Sequence, residues 1–376
     1  MATEEITDTG GWFGIEYHMK MIYVGLLTKG PDRDSSWISA FEKLGCTVIP
    51  ISSHVEYPKA GLFGGIVFKV FRRLSIGSRN KKLQNSLLKL AEREKPNWVH
   101  FLLPLGFDRK TIETLKDMNI VVTQYFNDDP FSSSAPFGIN WKFRRALTAY
   151  DAHFVWRARD IENYRKAGAA YVEHSPPYYD PERTPLSVRL PESDEFLADV
   201  AFIGHWEGDW RVDCLDALVN SGLRVILKGG GWDKAIRGRR IGASAPVSHA
   251  FGAEYCHIYS NVIAGLCFFS KINNDTWTRR ALEIVAVGGL LVCERNEEAM
   301  QYFKDREEAY FFSSIDELVA IVNELRNNPI KRERVRAAGY ARLLQSDNTV
   351  LSRAKRIQQF VINTISERTR NLASAR

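Results

Sequence analysis

From Lys20 onward, short apolar runs alternate with longer stretches whose apolar residues recur at helical spacing. The runs are MIYVGLL (21–27), CTVIPIS (46–52), WVHFLL (98–103), IVVTQYF (120–126), AHFVW (152–156) and YVEHS (171–175). Strands that are apolar on both faces, with helices between them, belong in a parallel sheet covered on both sides. This half therefore predicts an α/β doubly wound domain. The alternation restarts with ADVAFIG (198–204), LRVILKG (223–229), NVIAGLCFF (261–269), GLLVCE (289–294) and AYFF (309–312). Three helical segments follow, at Ile315–Asn327, Pro329–Leu344 and Asn348–Ser366.

Between the halves, residues 175–195 hold five of the 14 prolines. Proline fixes φ and removes a backbone donor, so no helix or strand runs through this stretch. The chain divides into an N-terminal extension (1–19), a first Rossmann-like domain (20–180), a linker (181–197), a second Rossmann-like domain (198–347) and a closing segment (348–376). Two such domains on a short linker leave a cleft. Ligands of open α/β sheets lie at the carboxyl ends of the strands, so both domains can face it.

The 376 residues suffice for two domains, and 45% hydrophobic with 26% charged residues is an ordinary globular mix. The excess of Lys and Arg over Asp and Glu, 51 against 45, fits a protein that handles phosphates. It is too small to suggest a nucleic-acid binder, and none is expected as a partner. The five cysteines are scattered without a C-x-x-C pair, and the histidines show no metal-ligand spacing. Neither a disulfide framework nor a bound metal is expected. No apolar run reaches membrane-spanning length, and residues 1–11 have no basic signal-peptide region. The expected location is cytoplasmic. One segment breaks the alternation: residues 61–82 combine apolar positions with Lys69, Arg72, Arg73, Arg79, Lys81 and Lys82 and contain no acidic residue. It reads either as a solvated helix on the first domain or as a foot on an anionic membrane at the inner face of the cell membrane.

The densest polar cluster is NNDTWTRRALEIVAVGG (273–289). Asp275 or Thr276 suits a helix cap, and the helix is expected to run to about Val287 before Gly288 and Gly289. At that spacing Asp275 pairs with Arg279, Arg279 with Glu283, and Arg280 stands three residues from Glu283. A helix amino end beyond a strand attracts anions, phosphate above all, and a carboxylate two turns in suits a ribose diol. A capped surface helix with ordinary ion pairs would have the same spacing. In the first half, Asp128 and Asp129 of FNDDPF follow the fourth strand, where one would bind acceptor hydroxyls or act as a base, or both would form an Asp-Pro turn. The loop 25–34 has neither G-x-G-x-x-G nor Gly-Lys-Ser/Thr, which speaks against a nicotinamide oxidoreductase and a Walker loop.

The pattern D-x2-T-x-R-x2-E at Asp275, Thr278, Arg280 and Glu283, followed by Gly-Gly, resembles the donor-site helix of GT-B glycosyltransferases, most nearly of the CgeB-like, spore-maturation type. Related retaining enzymes carry E-x7-E here; Asp275 occupies the first acidic position, as in the CgeB-like type. The resemblance implies that Glu283 binds ribose hydroxyls and Arg280 meets the diphosphate. It extends to FIGHWEGDWR (202–211), suggesting Gly204, His205 and Arg211, and to LKGGGW (227–232), suggesting Lys228 and Gly230 with Trp232 flanking the nucleotide; taken singly, each glycine cluster also reads as an ordinary strand-to-helix turn and Trp232 as a core aromatic. The architecture implied is GT-B, with the closing segment crossing back to the first domain. The activity implied is transfer of a hexosyl or deoxyhexosyl unit from a nucleotide-diphosphate sugar to a saccharide or lipid-linked saccharide, as in polysaccharide biosynthesis. It needs no metal or other cofactor, and the spacing resembles retaining enzymes. The residues assigned to catalysis are Asp128, Asp129, His205 and Asp275. The alternative is a catalytically inactive binding or scaffold protein on the same fold.

Overall fold

The structure is a computed structural model, and it describes residues 19–27, 33–54, 77–133, 140–186 and 196–374. The N-terminal extension, most of the basic segment 61–82, the loop 28–32 and most of the linker lie outside the described residues.

The first half runs β1 (Lys20–Gly25), α1 (Arg33–Lys43), β2 (Thr47–Ser52), α2 (Ser78–Glu94), β3 (Trp98–Leu102) and α3 (Arg109–Asp117). It continues through β4 (Val121–Phe126), α4 (Trp141–Ala146), β5 (Ala152–Val155), α5 (Asp160–Lys166) and β6 (Val172–His174). The six strands form one parallel sheet in the order β2-β1-β3-β4-β5-β6. β3, β4 and β5 are buried at every position, which is why their sequences read as unbroken apolar runs.

The second half runs β7 (Ala198–Ile203), α6 (Arg211–Asn220), β8 (Val225–Lys228), α7 (Gly252–Ser260), β9 (Val262–Cys267) and α8 (Arg279–Ala286). Then come β10 (Leu291–Glu294), α9 (Ala299–Tyr302), β11 (Tyr310–Phe312), α10 (Ile315–Asn327), α11 (Pro329–Leu344) and α12 (Val350–Ser374). Its five parallel strands are ordered β11-β10-β9-β7-β8. Buried apolar clusters cover both faces of each sheet. Every strand expected from the sequence is present among them.

Two details position the site. Strand order reverses between β7 and β9, so the loops after these two strands flank a switch point, where such sheets bind ligands. The closing helix α12 packs Ala354, Ile357 and Val361 into the core of the first half, against the layer containing α1. The chain thus passes twice between the halves, and the passages lie side by side: Tyr179 N–H donates to Asn348 O (2.9 Å), and Val350 N–H to Tyr179 O (3.0 Å). Arg353 fastens them by donating to Pro176 O (3.0 Å), Asp347 O (2.8 Å) and Asn348 Oδ1 (2.6 Å).

Candidate functional site

The loop leaving β7 begins at Gly204, and the turn leaving β8 presses directly on it. A Cβ on Gly229 (φ 125°) would stand 2.0 Å from the Gly204 carbonyl oxygen, so only glycine fits there. The Trp232 indole N–H donates to the same carbonyl (2.8 Å), and its ring is fully buried beside Phe202. Of the two sequence readings of Trp232, packing selects the core aromatic over the nucleotide-flanking ring. Trp232 is a core anchor of the glycine turn, and a ring with no exposed face cannot flank a nucleotide.

Arg211 is corrected in the same way. Its Nε and Nη2 donate to the two oxygens of Asp209 (2.7 Å each) and its Nη1 to the His205 carbonyl (2.8 Å), and the residue is buried. The guanidinium is consumed in shaping the 204–211 loop. Lys228 is likewise engaged, donating to Ser248 Oγ (2.8 Å) and facing Glu254 (3.2 Å). With Gly229 N–H donating to Ser248 O (2.9 Å), it pins the 245–251 segment to the glycine turn. Gly230 stands under His205, close enough that a Cβ would lie 2.9 Å from the imidazole Nδ1. His205 faces His249 (ring centroids 6.0 Å), which stacks on Phe251 (5.5 Å, 10° between planes). Phe251 is 75% exposed, so this aromatic edge is open to solvent.

Helix α8 starts later than its sequence suggests. Thr278 is the cap residue of α8, and Asp275 and Thr276 lie outside the helix. The burial of Trp277, stacked on Tyr302 (4.3 Å, 12°), draws the preceding residues away from a helical path. Thr276 bonds to Glu298, and Asn274 adopts a left-handed conformation (φ 51°). The Asp275–Arg279 helix pair therefore does not form. The Arg279–Glu283 pair does, at 3.0 Å. Glu283 also accepts from Tyr255 Oη (3.0 Å), and burial, reinforced by the Glu283 charge, raises the Tyr255 pKa and keeps that proton in place. The Arg279 guanidinium lies 4.7 Å over the Tyr178 ring, which comes from the other half.

Arg280 turns the opposite way. Its guanidinium lies 5.2 Å over the Phe202 ring and against Gly204, where a Cβ would stand 2.8 Å from its Nη2. Among the described residues it has no hydrogen-bond acceptor. A half-buried cation held by stacking, with its donors uncommitted, stands at the switch point beside a helix amino end that has no side-chain cap.

The first-half carboxylates occupy the opposite wall. Asp129 is buried and accepts from Phe131 N–H (2.8 Å) and Arg159 Nη2 (2.9 Å), so it is a turn carboxylate rather than a free base. Asp128 is half-buried and within electrostatic reach of Asp275. Asp275 is held by Arg157, which also pairs with Asp160 (3.4 Å). Burial raises the pKa of Asp275, and it pushes Asp160 up to about 6 even beside Arg157. Sequence reasoning missed Arg157, Tyr255, His249 and Phe251. Arg157 lies just beyond β5, so the rule that functional groups gather at strand carboxyl ends would have found it. Among the described residues no cluster of His, Cys, Asp and Glu is arranged to hold a metal, and no helix is long and apolar enough to cross a membrane.

Residues 211–359 match the family model described as glycosyl transferase-like. No curated protein sequence matches the chain. Among solved structures, HepE of Anabaena, in complex with UDP-glucose, superposes over 93% of this chain and 100% of its own with TM-score 0.62 at 13% identity. Sucrose-phosphate synthase of Thermosynechococcus elongatus does so over 93% and 100% with TM-score 0.66 at 11% identity. A glycosyltransferase of Rickettsia africae covers 93% and 99% with TM-score 0.62 at 10% identity.

The fold is GT-B.

The matched glycosyl transferase-like region starts at α6 and carries β8 to β11 and α8, so the Arg280 helix belongs to it. In this GT-B chain the half-buried Arg280, Gly204 and the Glu283–Tyr255 pair converge at the second sheet. Asp128, Asp129 and Arg157 approach from the first.

Proposed function

We propose that the protein is a CgeB-like glycosyltransferase. It takes a hexosyl or deoxyhexosyl unit from a nucleotide-diphosphate sugar at the second sheet and passes it to a saccharide or lipid-linked saccharide at the first. The observation that carries this reading is Arg280, stacked on Phe202 against Gly204 with no hydrogen-bond acceptor among the described residues. The diphosphate would lie between Gly204, Arg280 and the amino end of α8. As the bond to the sugar breaks, negative charge grows on that diphosphate, and a fixed cation in a shielded cleft stabilises it most at that moment. This charge is the reason the reading needs no metal. Glu283, oriented by Arg279 and Tyr255, would take the ribose hydroxyls, and the open Phe251–His249 stack would take the base in place of Trp232.

Asp128 is the acceptor-side carboxylate, and His205 borders the diphosphate. Retention of configuration rests on the Asp275-x7-Glu283 spacing and its likeness to retaining enzymes. An anionic membrane surface at the inner face is the proposed setting. The described end of the basic segment supports it with exposed Arg79, Lys81 and Lys82, beside Lys142 donating to Asn80 (2.8 Å).

Calorimetric binding of UDP, GDP, dTDP, CDP and ADP, with NAD as control, tests the core of the reading. Binding of one diphosphate that is lost in Arg280→Ala is the expected result. Binding of none would favour an inactive scaffold, and binding of NAD alone would overturn the donor site.

A further inference from the structure

Arg157 belongs to the first half but reaches the loop that feeds α8 in the second. It is 2% exposed, and it spans Asp160 on its own side (3.4 Å) and Asp275 across the cleft, while Nη2 also donates to Asn127 O (3.0 Å). Two lesser links join the same pair of segments. Ser132 Oγ donates to Ile272 O (2.8 Å), and Asn274 Nδ2 reaches Asp129 Oδ2 (3.5 Å), itself held by Arg159 (2.9 Å). The second-half partners all lie within Ile272–Asp275, just before the Thr278 cap.

This arrangement has a mechanical consequence. The 270–278 loop is tied to its own half at its two ends, by Lys271 to Glu207 (3.0 Å) and Glu294 (2.6 Å) and by Thr276 and Trp277 to Glu298 and Tyr302. Its outer limb is fixed by a buried cation of the opposite half. Parting the halves would take Asp275 from its cation while Arg157 kept Asp160, so the cross-half pair holds only while the halves stay together. First-half residues thus share with the second-half core in holding the segment that leads into α8, which carries Arg280 and Glu283. Asp275, assigned to catalysis from its sequence position, has its charge turned to Arg157 instead.

We propose that Arg157 is a positioning residue. Through Asp275 it locks the two halves at the cleft floor and completes the donor helix only in the closed arrangement. The ligand arm of this inference rests on the donor-site reading, and the shape arm does not. In the shape arm, small-angle X-ray scattering compares the full-length protein with Asp275→Asn and Arg157→Ala. Both variants should show a larger radius of gyration. Asp275→Asn keeps the Arg157–Asp160 pair and so remains informative if Arg157→Ala fails to fold.

In the ligand arm, titration uses whichever of UDP, GDP, dTDP, CDP or ADP the wild type binds. Each single variant should lose about tenfold in affinity, and the double variant no more than either single, the signature of one coupled contact. For Arg157→Ala a KM rise with kcat preserved at saturating donor should accompany it, since a bound donor itself draws the halves together. Unchanged scattering in Asp275→Asn would overturn the lock. Strictly additive losses of affinity would overturn the coupling. If the wild type binds none of the five, the donor-site reading fails while the scattering comparison still decides the lock.

Discussion

At the scale of single residues, the site depends on which charges are already spent. Arg211 and Arg280 stand at the same strand ends, yet one is saturated by Asp209 while the other lies over the Phe202 ring with no hydrogen-bond acceptor among the described residues. Arg280→Ala should therefore weaken nucleoside-diphosphate binding by about 10- to 100-fold, the worth of roughly 1.5–3 kcal/mol for a hydrogen bond to a charged group, with little change in the melting temperature. Trp232→Ala should do the reverse in kind. Truncating a fully buried indole costs about 3–5 kcal/mol in a denaturant titration, and any loss of binding should follow the loss of fold. Asp160 gives a pH test. Its folded pKa, pushed up to about 6 by burial, lies above the ordinary carboxylate value. The folded state thus holds more protons than the unfolded chain between those two values, so this group's contribution is full at lower pH and is lost as pH rises through about 6. Relative to Asp160→Asn, the wild type should lose stability over that interval, read as the difference between the two urea midpoints at each pH.

At the scale of elements, α8 shows how packing overrides a local start signal. Asp275 and Thr276 are good caps, but burying Trp277 against Tyr302 outweighs a cap worth about 1 kcal/mol, and the helix begins at Arg279. The passage between the halves depends on α12 in a comparable way. Arg353 is buried and donates to carbonyls of both crossing segments. Arg353→Ala should destabilise the protein by about 1–3 kcal/mol in urea, because buried acceptors lose a charged donor. A variant cut before Val350 should lose the cooperative melting of the first half, since Ala354, Ile357 and Val361 complete its core.

For the molecule as a whole, polar contacts such as Arg157–Asp275 and Ser132–Ile272 join the half built on the first parallel sheet to the half built on the second. Such an interface can open and close, which suits a reaction that must exclude water while the donor is activated. A bound diphosphate at about 100 times its Kd should raise stability by about 2.7 kcal/mol, visible as a concentration-dependent melting temperature. Failure of any nucleotide to shift it would count against the donor site.

The strands were legible because parallel sheets bury both faces, and that requirement writes itself as unbroken apolar runs such as WVHFL and AHFV. Arg280 and Glu283 could be singled out for a related reason: functional groups gather where strands end and helices begin, and both boundaries leave local marks; Gly204 was marked only by the resemblance to GT-B glycosyltransferases. The sequence by itself therefore determined two doubly wound halves and where along the chain to look for a site. Only the tertiary structure decided which groups are available. Trp232 and Phe251 are both aromatic residues near a glycine, and packing buried the first and exposed the second. Asp275 sits at the right spacing from Glu283, but its charge is answered by Arg157, more than a hundred residues earlier in the chain. Spacing along a chain encodes local geometry, whereas burial and charge pairing depend on which distant segments meet.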